Sequence, residues 1–134
     1  MAKKREATTQ QNHDKAVKKV EKWLTDYYPD SLVICNPNQE KNQHVLRDNK
    51  KVYPDVTYRK DADSNISMLY EIETSESVTE EEVEQWKSYN KGASGFYLVV
   101  PKTDIEKAKK LVADAKFEID GFYTYDSNYT IQNG

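Results

Sequence analysis

The feature that most constrains this chain is the stretch KVYPDVTYRKDADSNISMLYEIET, residues 51–74. Two runs rich in β-branched and aromatic residues, 51–59 and 66–74, flank the polar turn KDADSN, 60–65. Strands joined by so short a turn pair antiparallel. With the turn centred near Asp63, paired residue numbers sum to 126, which sets Asp55 opposite Glu71 and Tyr53 opposite Glu73. Side chains alternate between the two faces of a strand. The even positions Val52, Val56, Tyr58, Met68, Tyr70 and Ile72 then form one apolar face, and Asp55, Glu71 and Glu73 project together from the other. A slip of one residue would set apolar side chains against acids, so the parity is well specified.

Strand interiors seldom carry acid, and three carboxylates on one hairpin need a physical reason. Two carboxylates about 5 Å apart repel by about 3 kcal/mol at an effective dielectric near 20. Either one is protonated or a cation sits among them. Convergent carboxylates suit a hard divalent ion such as Mg²⁺ or Mn²⁺, whose remaining positions go to water and substrate phosphate. Such an ion activates water for attack on a phosphodiester. The plainer reading, that the acids keep one sheet face wet, stands beside this one.

The rest of the chain reads as one α/β domain over 12–126, with a mobile tail at 1–11 and a polar tail at 127–134. Val17, Val20, Leu24 and Tyr27, widened by Ala16, Trp23 and Tyr28, make the apolar stripe of a helix over 13–28 that ends before Pro29. SLVIC (31–35) and QHVLRD (43–48) are strands around the loop 36–42. Thr79 and Glu82, and again Thr103 and Glu106, have capping-box spacing. They open two helices, one with Val83 and Trp86 inward and a stop at Gly92, the other with Ile105, Ala108, Leu111, Val112 and Ala115 inward. SGFYLVVP (94–101) is too apolar to alternate and reads as a central strand, and 116–125 as a last strand. A mixed sheet flanked by helices is the expected architecture.

Composition narrows the function classes. No apolar run approaches the ~20 residues of a membrane span, and the N-terminus lacks the apolar segment of a secretory signal. The single cysteine, Cys35, cannot form an internal disulfide, and a cytoplasmic setting is expected. A net charge of −3 does not advertise a nucleic-acid binder; Lys3, Lys4, Arg5, Lys15, Lys18, Lys19 and Lys22 cluster early, and the reading preferred for them is a solvated tail and a solvated helix face. No zinc-ligand spacing, Gly-rich phosphate loop or nucleophilic Ser or Cys context is present. His13 falls in the first apolar stripe, where a packed or capping role is expected. His44 has no evident partner. Among ten tyrosines, Tyr27, Tyr28, Tyr53, Tyr58 and Tyr70 fit core or sheet positions. Tyr123, Tyr125 and Tyr129 suit strand packing, with base stacking as the alternative.

YPDVTY, then YEIET, then a helix carrying EQWKSY resembles the PD-(D/E)XK nuclease superfamily, which includes restriction endonucleases, Holliday junction resolvases and repair exonucleases. Pro54 and Asp55 match the first half of its pattern, and Glu71, sixteen residues after Asp55, matches the acid of the second. Gln85 and Tyr89, one turn apart, resemble the Q-x-x-x-Y of some of its exonucleases. The resemblance implies a restriction-endonuclease-like mixed central sheet in α-β-β-β-α-β-α-β order. It further implies a Mg²⁺- or Mn²⁺-dependent hydrolase of DNA, branched or single-stranded forms included, and by analogy a homodimer. It assigns metal to Asp55 and Glu71, substrate contact to Gln85 and, through the first helix, a supporting carboxylate to Glu21. Glu21 lies about 40° from Val17 around that helix, where an ordinary amphipathic-edge role competes. Glu73 stands where the family has lysine. It is assigned to a second metal or to the water's proton, and Lys87 is the candidate for a lysine moved to the following helix. The same departure also fits a catalytically inactive binding or interaction module that kept the fold.

Overall fold

A computed structural model describes residues 7–35, 45–47, 50–52, 55–60, 68–90 and 95–134. Helix α1, Ala7–Tyr27, begins earlier than its apolar stripe, so the stretch expected as a tail is helical from residue 7. Ala16, Val17, Val20 and Leu24 are buried along it, at the spacing that keeps one face on a core. Tyr27 departs from the expected stripe. It is 70% exposed, as the last helical residue, and packs edge-on against Trp23 with ring centroids 6.0 Å apart.

The main sheet has six strands. Strand β1, Leu32–Cys35, is separated in sequence from the others by a ribbon of its own, β2 (Val45–Arg47) paired antiparallel with β3 (Lys50–Val52). Then come β4 (Val56–Arg59), β5 (Met68–Ile72), β6 (Gly95–Pro101), β7 (Gly121–Tyr125) and β8 (Ile131–Asn133), and the spatial order is β1-β4-β5-β6-β7-β8. The expected strand 51–59 is thus two strands, one in the ribbon and one in the sheet. Pairing of β4 with β5 is antiparallel and every recorded pair sums to 126, the expected register. β5, β6 and β7 run parallel, with the helices α2 (Val83–Asn90) and α3 (Ile105–Asp114) in the crossovers.

The parity of the hairpin decides which core each residue joins. Val56, Tyr70 and Ile72 pack under α1 together with Val99. Leu69, from the opposite face, packs with Val83, Trp86 and Tyr89 of α2 and Ala108 and Val112 of α3. β6 serves both layers, Phe96, Leu98 and Val100 on one side and Val99 on the other, as a central strand must. The face carrying the acids is therefore roofed by helices rather than open to water.

Three further expectations change. The expected capping boxes do not form: Thr79 makes no side-chain cap bond ahead of the short 3₁₀ turn Glu80–Glu82, and Glu82 N–H goes instead to the Thr79 carbonyl at 3.1 Å. Before α3 the N-cap residue is Asp104, likewise without a side-chain cap bond. The last long strand starts at Gly121 rather than 116, because Lys116 (φ 59°) ends α3 in the left-handed region. The polar C-terminal stretch contributes β8, an antiparallel edge strand on β7. Pro54, Tyr53, His44, Gly92, the loop 36–42 and residues 61–65 of the hairpin turn lie outside the described residues.

Candidate active site

The acids meet where β4 begins and β5 ends. Asp55 immediately precedes β4, and the observed register carries it opposite Glu71. The two residues clasp each other through backbone: Asp55 N–H donates to Glu71 Oε1 at 2.9 Å, and Ile72 N–H donates to Asp55 Oδ2 at 2.8 Å. Asp55 is 8% and Glu71 5% exposed. Buried carboxylates of this kind depend on such charge-assisted hydrogen bonds.

His13 completes the clasp from α1. It is 1% exposed, and its Nε2 lies 3.1 Å from Asp55 Oδ2. An ionised carboxylate only accepts, so a proton on Nε2 is what makes this contact attractive. The other ring nitrogen, Nδ1, is 3.4 Å from Asp14 Oδ1 and 3.5 Å from Gln10 Nε2. Gln10 in turn donates to Asp14 at 2.8 Å. The imidazole is thereby fixed between two carboxylates. Its position in the apolar stripe was the only sequence signal, and that signal reads as packing.

Glu73, one step past β5, is also 1% exposed and is aimed at α2. The Trp86 indole N–H donates to its Oε1 at 3.4 Å, and the Tyr125 hydroxyl donates to its backbone carbonyl at 2.6 Å. Gln85 and Tyr89 share this side of α2, with Gln85 Nε2 donating to the Tyr89 hydroxyl at 2.9 Å. Burial raises the Tyr89 pKa most, Glu71 adds to it, and Asp55 and Glu73 push the same way against the Gln85 hydrogen bond. Tyr89 therefore feels all three acids.

Lys87 and Glu21 are not brought to this cluster. Lys87 lies 3.7 Å from Glu84 and 5.9 Å above the Phe117 ring. A two-residue step from Gln85 turns about 200° around a helix, so the two cannot share a face. Glu21 is two turns, about 12 Å, along α1 from His13. There it accepts from the Cys35 thiol at 2.8 Å, with Lys18 Nζ 3.9 Å from the sulfur. Burial, then Glu21, pushes the thiol pKa from 9.0 up to about 12.

Among the described residues no group of three or more His, Cys, Asp or Glu side chains is arranged to hold a metal ion. The expected three-acid cage is not preformed, because Glu73 is turned to the Trp86 indole. Asp55 and Glu71 remain, two buried carboxylates of the oxygen-donor kind that hard divalent cations take as ligands. The C-terminal ends of the three parallel strands open into a pocket of about 650 Å³ lined by Thr74, Pro101, Tyr125, Asn12 and Tyr129, with neither Asp55 nor Glu71 in its wall. Ligands of open α/β sheets collect at this edge.

No protein-family model matches the chain, and no curated protein or solved structure does. Among the described residues no helix is long and apolar enough to cross a membrane.

Proposed function

We propose that this protein is a metal-dependent nuclease that hydrolyses phosphodiester bonds in DNA, with a restriction-endonuclease-like fold. One observation carries the reading: Asp55 and Glu71, sixteen residues apart, meet as a buried pair at the end of an antiparallel strand pair, under the Gln85–Tyr89 face of α2. The order of helix, antiparallel strands, helix, parallel strand, helix, parallel strand supports the fold, with the β2–β3 ribbon and β8 as additions.

In this reading Asp55 and Glu71 would hold Mg²⁺ or Mn²⁺, and the ion would supply Lewis-acid stabilisation of the phosphate and a more acidic water. His13 and the Ile72 N–H hold the Asp55 carboxylate in one orientation. The Asp55 N–H does the same for Glu71. Burial, and then Glu71, hold the proton on the Tyr89 hydroxyl, with Asp55 and Glu73 adding in the same direction, so that it is a donor to substrate oxygen. Gln85 orients it. A homodimer belongs to the proposal by analogy with small members of the superfamily, and sedimentation equilibrium tests it.

The test is cleavage of single-stranded, duplex and branched DNA with Mn²⁺ or Mg²⁺. Asp55→Asn and Glu71→Gln should each lower the rate by about 10²-fold or more. Cleavage unchanged in both variants would be contamination and would end the proposal. A second reading, a non-catalytic binding module, is favoured by one observation: backbone N–H groups, the Trp86 indole and His13 already surround the acids, while Lys87 faces Phe117. Calorimetry separates the two readings, since undetectable Mn²⁺ affinity together with no cleavage selects the module.

A further inference from the structure

Four exposed lysines, Lys15, Lys18, Lys19 and Lys22, repeat at i, i+3, i+4 and i+7 along α1. They line one wall of a groove of about 620 Å³ whose other wall is Asn128 and Tyr129. The whole chain has more acid than base, 23 Asp and Glu against 20 Lys and Arg, so this stripe does not follow from overall composition. On α1 the pairs Lys15/Lys19 and Lys18/Lys22 set like charges at i,i+4. Each pair costs the helix about 0.2–0.5 kcal/mol. Lys22 is relieved by Asp26 at 3.0 Å, and Asp14, the acid at the groove's end, is taken up by Gln10 and His13.

The groove adjoins a second pocket. Tyr129 lines both it and the pocket at the ends of the parallel strands. Its ring stacks on Tyr125, centroids 5.8 Å apart, and Tyr125 bonds the Glu73 carbonyl. Its hydroxyl is 3.4 Å from Asn12, one residue before His13. The Tyr129 backbone sits at φ 60°, a costly conformation for a tyrosine, in a turn held by Asp126 through the N–H groups of Asn128 and Thr130.

The geometry points to this groove as the track for a single DNA strand, its phosphates on the α1 lysines and a base near Tyr129, running toward the pocket at the ends of the parallel strands. This rests on the DNA reading above but not on cleavage. Lys15 to Lys22 spans about 10 Å along α1, so the four ammonium groups can reach successive phosphates of one short stretch of strand. An aromatic at the end of a cationic groove is the usual means of holding a single strand without sequence preference.

The experiment is fluorescence anisotropy with a labelled single-stranded oligonucleotide in EDTA, so that binding is read without cleavage. The salt slope of log K should be near −3, about −0.7 per lysine. Lys15→Gln with Lys19→Gln should lower the slope by about 1.4 and weaken binding on the order of tenfold at low salt. Lys107→Gln with Lys109→Gln on α3 should leave both unchanged. Equal losses from the α1 and α3 variants, no binding by the unaltered protein, or tighter binding of duplex each overturn the track. Mn²⁺-dependent cleavage with KM unmoved by the α1 variant removes the track and leaves the nuclease. Lysine-dependent binding without cleavage keeps the track and removes the nuclease.

Discussion

Helix α1 meets the sheet with two polar groups, buried His13 and half-buried Glu21, eight residues apart, and they solve the same problem differently. At one, His13 faces Asp55, which is clasped to Glu71. At the other, Glu21 accepts from the neutral Cys35 thiol. A single half-buried carboxylate is satisfied by one donor. A cluster of carboxylates requires backbone N–H groups, an imidazole and an indole together, and it leaves a concentration of negative potential that a neighbouring tyrosine registers. Stability alone does not favour such a cluster, since buried ionised groups return less than apolar packing of the same volume.

The comparison can be broken most severely at Trp86. Trp86→Ala should cost about 3–5 kcal/mol in urea unfolding, since it opens a cavity and strips a donor from Glu73. A loss under about 1 kcal/mol would mean the indole does not roof the acids. Next in size, a double-mutant cycle of His13→Ala with Asp55→Asn should show coupling above about 1 kcal/mol. The matching cycle of Glu21→Gln with Cys35→Ala should give less, and equal couplings would erase the distinction between the two places.

A pH series sharpens the second place. The folded thiol binds its proton more tightly than the unfolded one, so this contribution to stability is complete below pH 9 and is lost as pH rises toward about 12. Unfolding free energy should therefore fall more steeply above pH 9 in the unaltered protein than in Cys35→Ala. Parallel curves would show that burial does not hold the thiol proton. The smallest effect is expected on the exposed face of α1, where Lys22→Gln removes the ion pair with Asp26 and should change stability by no more than about 0.5 kcal/mol.

Much of the sheet was legible from residue order because strand parity has a period of two. Val56, Tyr70 and Ile72 on one side and Leu69 on the other followed from alternation alone, as did the pairing sum of 126. The capping boxes were legible in letters but not in fact, since the 3₁₀ turn before α2 and the Asp104 start of α3 move the helix ends away from the spaced residues. β8 carried only one apolar residue, Ile131, and an edge strand with one covered neighbour needs no more.

Local periodicity by itself determined that Asp55 and Glu71 face each other across two strands, and that Gln85 and Tyr89 share one helix face. Which α1 side chain reaches Asp55, where Glu73 turns, and what Lys87 touches were decided only by tertiary structure. A repeat of 3.6 residues states the side of a helix but not how far the helix slides along the sheet. At about 1.5 Å of rise per residue, that slide separates His13 from Glu21.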